Sequence, residues 1–205
     1  CLVVAKKRSA LRELHARFRE GRVEKNYLAL VVGDWQFGER LIDKPLLVQN
    51  RKGGERHVVV SREGKQARTR VRLSRTYGVY SLLQCSPETG RTHQIRVHLE
   101  SIHHPIVGDE RYGGRAWRGV QDPLKRKALR EFEHLALHAA KLSFQHPTRG
   151  VKMRFRSSLP RRFEDLLVVF LRSDAPSGKL WQLAEGAQLP ATPEVVERVM
   201  AAASS

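Results

Sequence analysis

"RKGGERHVVVSREGKQARTRVRLSR", residues 51–75, decides the kind of fold this chain adopts. Nine Lys and Arg face only Glu55 and Glu63 here, and Val58, Val59, Val60, Val71 and Leu73 run among them. Aliphatic, β-branched residues interleaved with polar ones suit strands with one wet face, so the stretch reads as a basic sheet and not as a disordered tail. A solvated, solubilising surface would also carry such charge. An RNA or DNA partner accounts for it better, because a positive sheet face attracts a polyanion.

Reading outward, strands are predicted over 56–61, 67–74 and 79–85, followed by a helix within "ETGRTHQIRVHL", residues 88–99. Upstream, "CLVVAKK" begins as a strand. "SALRELHARFREG" reads as a helix with Ser9 as N-cap, Leu11, Leu14 and Phe18 on one face, and Gly21 closing it. "VEKNYLALVVGDW" is then a strand that puts Lys25, Tyr27, Ala29 and Val31 on one face. Downstream, "KLSF" turns through "QHPTRG" into "VKMRFR" as a hairpin. "LPRRFEDLLVVFLR" is a helix with Pro160 near its start and a stripe of Phe163, Leu166, Leu167 and Phe170. Strands outnumber helices and do not alternate with them, which predicts an α+β domain on a mixed, mainly antiparallel sheet with flanking helices. After Arg172 the composition changes: "SDAPSG" reads as a linker and "TPEVVERVMAAA" as a short helix capped by Thr192. Residues 172–205 are therefore expected to be a linker and peripheral extension.

The whole chain of 205 residues carries 38 Lys+Arg against 21 Asp+Glu, a net charge of +17. Its 40% hydrophobic content suffices for one sizeable core. No apolar run approaches the ~18 residues of a membrane span, and the first residues lack a secretory signal. Two cysteines, Cys1 and Cys85, are too few for a disulfide framework or a four-thiolate zinc site, so a reduced cytoplasm is expected.

His93, His98, His103 and His104 invite a metal reading. The successive pairs 93/98 and 98/103 are five apart, which separates them by roughly 140° around a helix. No Cys, Asp or Glu compensates, so no metal site is expected. His98 lies near the Ile95, Leu99, Ile102 stripe and reads as a core histidine. Arg96 instead shares a face with His93 and Glu100, one turn inside a helix introduced by the Gly90 turn. There, free backbone N–H groups, Thr92 and Arg91 form an anion-attracting corner. The planar fork of Arg96 suits a carboxylate or phosphate, or an exposed salt bridge without function.

Three segments in this order, "EKNYLALVVG", "ETGRTHQIRVHLESIHHPIVGDERYGG" and "LALHAAKLSFQHPTRG", resemble the motifs of the RluA-type RNA pseudouridine synthases. "AKKRSALRELHARFREGRVEKNYLALVVG" is similar in particular to the ribosomal large subunit pseudouridine synthase C group. The resemblance covers residues 1–171. It implies a pseudouridine synthase catalytic domain with a cleft across its sheet, and a cytoplasmic, monomeric enzyme that isomerises uridine in structured RNA, here large-subunit ribosomal RNA. Neither metal nor cofactor is implied. Tyr27 matches the tyrosine that stacks on the extruded uracil and handles a proton, Arg96 the arginine that pairs with the nucleophilic aspartate, and Leu137 an apolar pocket residue. Arg91 and His93 then form an RNA-facing corner beside them. In the family the aspartate stands in a motif of the form H-R-L-D-x-x-T-S-G before the strand that "CLVVAKK" resembles. The resemblance therefore implies that Cys1 begins an N-terminally truncated catalytic domain, inactive alone, with Arg96 lacking its carboxylate. Asp109, in "VGDERYGG", is the one rival nucleophile, although its glycine neighbours favour a turn role. A non-catalytic basic RNA-binding module is the alternative function.

Overall fold

A computed structural model describes residues 1–50, 56–114 and 118–174. In chain order the elements are α1 (Arg8–Arg19), β1 (Glu24–Val32), β2 (Arg40–Asp43), β3 (Leu46–Asn50), β4 (Arg56–Val60), β5 (Arg68–Tyr77), β6 (Tyr80–Pro87), α2 (Gln94–Glu100), α3 (Pro123–Glu131), β7 (Leu137–Gln145), β8 (Lys152–Arg156) and α4 (Arg161–Asp174). Six strands form one sheet in the order β2-β5-β6-β1-β7-β8, and β3 and β4 form a separate ribbon. Every ladder among the described residues is antiparallel. The expectation of an α+β domain on a mainly antiparallel sheet with flanking helices is met. The basic stretch is split: β4 belongs to the ribbon and β5 to the main sheet, while residues 51–55 lie outside the described residues.

Over Ala29–Val31 and Leu82–Leu83 the central strands β1 and β6 are apolar on both faces, because helices cover both. Phe170 of α4 packs edge-on against Tyr80, with ring centroids 4.9 Å apart, and against Tyr77. Tyr77 and Tyr80 are cross-strand partners. On the other side, His98 and Gln94 of α2 bond to Thr69, which pairs with Pro87. Pro87 is an odd number of residues from Tyr80 along β6, so α2 and α4 lie on opposite faces of the sheet. Ala29, Leu30 and Val31 are consequently all fully buried. The predicted stripe of α4, Phe163, Leu166, Leu167 and Phe170, fills this core.

Several local expectations need correction. Residues 1–5 form no strand, because both edges of β7, where Cys1 lies, are already paired by β1 and β8. The chain bonds there through the Cys1 ammonium to Ala139 O, at 2.7 Å, and the Cys1 thiol to Ala140 O, at 3.7 Å. Cys1, Val3 and Ala5 still pack inward on Leu14, Val23, Leu142 and Phe144, which preserves the alternation that suggested a strand. Helix α1 starts one residue before Ser9, with Lys7 as N-cap and no side-chain cap. Its buried face is Leu14 and Arg17; Leu11 is 42% exposed. Arg17 bonds to Gln145 O and to Glu13, so a charged residue takes the place assigned to Phe18. Strands β2 and β3 and helix α3 escaped the sequence reading. Asp122, read as part of a polar connection, caps α3 by accepting from Leu124 N and Lys125 N. Helix α4 runs on to Asp174, through residues read as the start of the linker after Arg172; the rest of that linker, from 175, and the helix at Thr192 lie outside the described residues.

Candidate active site

Tyr27 sits on β1 opposite Cys85 of β6 and Ala139 of β7. Cys85 is two residues from Pro87, so Tyr27 projects from the face that α2 covers. Leu137 pairs with Ala29, two residues from Tyr27, and shares that face. Three sequence-predicted residues, Tyr27, Leu137 and Arg96 on α2, are thus gathered on one side of the sheet. Tyr27 and Leu137 are both half-buried against the main core. Burial raises the Tyr27 pKa, so its hydroxyl is protonated at neutral pH.

The turn before α2 is organised by Gln94, a residue the sequence reading passed over. Gln94 is buried, and its side-chain oxygen accepts from Arg91 N at 2.9 Å and from the Thr89 hydroxyl at 2.7 Å. Its amide nitrogen donates to Arg68 O and to Thr69 Oγ1, both at 2.9 Å. The expected free N–H at Arg91 is therefore filled from within, and the Arg91 side chain is turned to Gln66 O through its Nε. His98 continues this network as the predicted core histidine. Its Nε2 must donate to Lys44 O, at 3.0 Å, which leaves Nδ1 to accept from the Thr69 hydroxyl at 2.9 Å.

Arg96 does not lack a partner, contrary to expectation. Its Nε and Nη2 donate to the two carboxylate oxygens of Asp109, each at 2.7 Å. Asp109 is 1% exposed and also accepts from Arg111 N and Tyr112 N, which is the turn role its neighbours suggested. Spacing along the chain could not reveal this pair, because it depends on the chain folding back through residues 103–109. The Arg96 guanidinium also lies 4.9 Å from the centroid of the Tyr112 ring. Tyr112, likewise missed, accepts from Val58 N at 3.1 Å and holds His93 Nδ1 at 2.9 Å. This bond fixes His93 in a left-handed backbone conformation at φ 52°, one that costs a side-chain-bearing residue about 1 kcal/mol. Burial, then the charges of Arg96 and Arg111, lower the His93 pKa, so its ring is neutral at pH 7. Arg96, Asp109, Tyr112 and His93 form one interlocked wall.

A cavity of about 480 Å³ touches Tyr27 but not Arg96, His93, Arg91 or Leu137. Its polar lining includes Asn26, Arg72, Gln84, Lys141 and Arg156. Asn26 and Gln84 are bonded to each other, and both project from the face opposite α2, so this cavity is not the expected cleft. Among the described residues no group of three or more His, Cys, Asp or Glu could hold a metal ion.

Comparison with known proteins bears on the family and the fold. A model of the RNA pseudouridylate synthase family matches residues 1–101, which contain Tyr27, Arg91, His93 and Arg96. Ribosomal large subunit pseudouridine synthase C of Salmonella typhi is 46% identical over 174 residues, 85% of this chain and 53% of that protein. The Escherichia coli K12 protein of the same name is 47% identical over 158 residues, 77% of this chain and 48% of that protein. The chain thus spans about half the length of the curated relatives it matches. Among solved structures, human RNA Pseudouridylate Synthase Domain Containing 1 superposes with a TM-score of 0.58 at 28% identity, covering 77% of this chain and 63% of that one. Human RNA Pseudouridylate Synthase Domain Containing 4 shares the fold, with a TM-score of 0.62 at 24% identity over 80% and 68% of the two chains. Sequence motifs, fold and the face that carries Tyr27 and Arg96 lead to one assignment: the chain belongs to the RNA pseudouridine synthase family.

Proposed function

We propose that this protein isomerises uridine to pseudouridine in large-subunit ribosomal RNA, with residues 1–171 contributing to the catalytic domain and 172–205 a peripheral extension. The observation that carries this reading is the placement of Tyr27, Leu137 and Arg96 on one face of the sheet. In this reading Tyr27 stacks on the extruded uracil, and its protonated hydroxyl is the form that can donate a proton. Leu137 closes the apolar side of the pocket. Arg96, held rigid by Asp109, orients the carboxylate that attacks the ribose. His93 and Arg91 meet the RNA beside them, His93 as a neutral ring offering Nε2–H. The net charge of +17 supports RNA binding through phosphates along β5 and the Arg91 turn. We take the protein to act as a monomer in the cytoplasm; no helix among the described residues is long and apolar enough to cross a membrane.

The test is carbodiimide labelling and primer extension on a large-subunit RNA transcript incubated with the protein as its gene encodes it. New reverse-transcription stops at discrete uridines are expected. RNA binding without any new stop would favour the non-catalytic RNA-binding module instead.

A further inference from the structure

Lys25 is a cation that the fold buries without an anion. The residue is 9% exposed, and among the described residues no carboxylate pairs with its ammonium. Its one hydrogen bond runs to Thr89 O at 3.3 Å, and the Phe18 ring centroid lies 5.9 Å away. Burial alone pulls its pKa down. A desolvated charge held by one carbonyl and a ring 5.9 Å away is an unfavourable arrangement for a residue whose task is only to pack.

Two features say what the ammonium is for. First, Lys25 and Tyr27 are alternate residues of β1, so their side chains leave the same face about 7 Å apart. Second, the space beyond the ammonium is open at Gly90. A Cβ added there would meet only Lys25 Nζ, at 3.9 Å, and Gly90 is not in the left-handed region that demands glycine. The missing side chain therefore serves no turn geometry; it leaves a gap over the charge.

We infer that Lys25 binds a backbone phosphate of the nucleotide flanking the target uridine, and so sets the depth at which the extruded base meets Tyr27. This rests on the RNA-modifying function proposed above. A compact ammonium meets a phosphate oxygen as a point charge, which gives it a salt-dependent contact that a neutral base edge would not.

The experiment measures binding of a fluorescein-labelled hairpin of large-subunit ribosomal RNA across a potassium chloride series, using the wild-type protein, Lys25→Met and Lys25→Arg, each with a thermal melt. Lys25→Met is expected to weaken binding roughly tenfold at low salt. It is also expected to reduce the slope of log affinity against log salt by about 0.7–0.9, the signature of one lost phosphate contact. Its melting temperature should not fall, and Lys25→Arg should restore the slope. A folded Lys25→Met with an unchanged slope would overturn the inference. So would a Lys25→Met that no longer folds, because the cation would then belong to the fold. A wild-type protein that binds no RNA at any salt would refute the functional reading itself, an outcome distinct from both.

Discussion

Asp109 grips Arg96 with both carboxylate oxygens, at 2.7 Å each, from a position almost closed to solvent. The pair is bidentate, and the remaining lone pairs of Asp109 accept from Arg111 N and Tyr112 N. Such an arrangement holds Arg96 in one orientation before any substrate arrives. Asp109→Asn loses the charge and one acceptor while leaving a half-buried guanidinium without its anion. A stability loss of about 3 kcal/mol is expected in urea unfolding. Turnover should fall as well, because Arg96 is released from its orientation. An Asp109→Asn protein of unchanged stability would remove this account of Arg96.

Gln94 makes four hydrogen bonds from one buried side chain. Gln94→Leu has nearly the same volume but takes the acceptor away from Arg91 N–H and from the Thr89 hydroxyl. A cost of about 2–3 kcal/mol is expected, with weaker RNA binding as the Arg91 turn loosens. Denaturant midpoints together with RNA titration check this. The loss in binding should exceed that of an exposed control such as Arg8→Ala.

His98 supplies a pH dependence whose sign is determined. Burial is the largest influence and lowers its pKa below the ordinary histidine value. The unfolded chain then binds a proton more readily than the folded one, so stability is full above about pH 6.5 and declines as pH falls through the range between the unfolded and folded values. His104, whose pKa is also lowered chiefly by burial, adds to the same trend. Unfolding free energies measured from pH 8 to pH 5 should decrease, and His98→Gln should flatten the curve. A curve that rises toward pH 5 would reverse the assignment.

Tyr27→Phe keeps the ring and its stacking area but removes the hydroxyl. RNA affinity should change less than twofold, while single-turnover conversion slows by at least tenfold if the hydroxyl transfers a proton, given the usual ~10²–10⁴-fold contribution of such a group. Equal single-turnover rates would restrict Tyr27 to stacking.

The chain announces its strands better than its site. β1, β5, β6 and the β7–β8 hairpin were legible because alternation and β-branched residues signal them directly. β2, only four residues, Arg40–Asp43, carries too short a pattern. α3 is nearly all polar apart from Leu124, Ala128 and Leu129, and only its Asp122-Pro123 start marks it. Arg96 was identified from its place on α2, and His98 from the apolar stripe beside it. Asp109, Gln94 and Tyr112 were not assigned to the site, because their roles depend on partners distant in sequence. Val58, which bonds to Tyr112, is 54 residues away from it. Lys25 was visible as a strand residue, but its lack of an anion is a property of the packed structure alone.

The most direct measurement is tritium release from large-subunit ribosomal RNA labelled at C5 of uridine, using the protein as its gene encodes it, beside its Arg96→Ala variant. Isomerisation replaces the hydrogen at C5 by the bond to ribose, so the wild-type protein should release tritium in proportion to the uridines converted, and Arg96→Ala should lose at least a hundredfold of the rate. A folded wild-type protein that binds this RNA but releases no tritium, or an Arg96→Ala variant that releases it at the wild-type rate, would contradict the account.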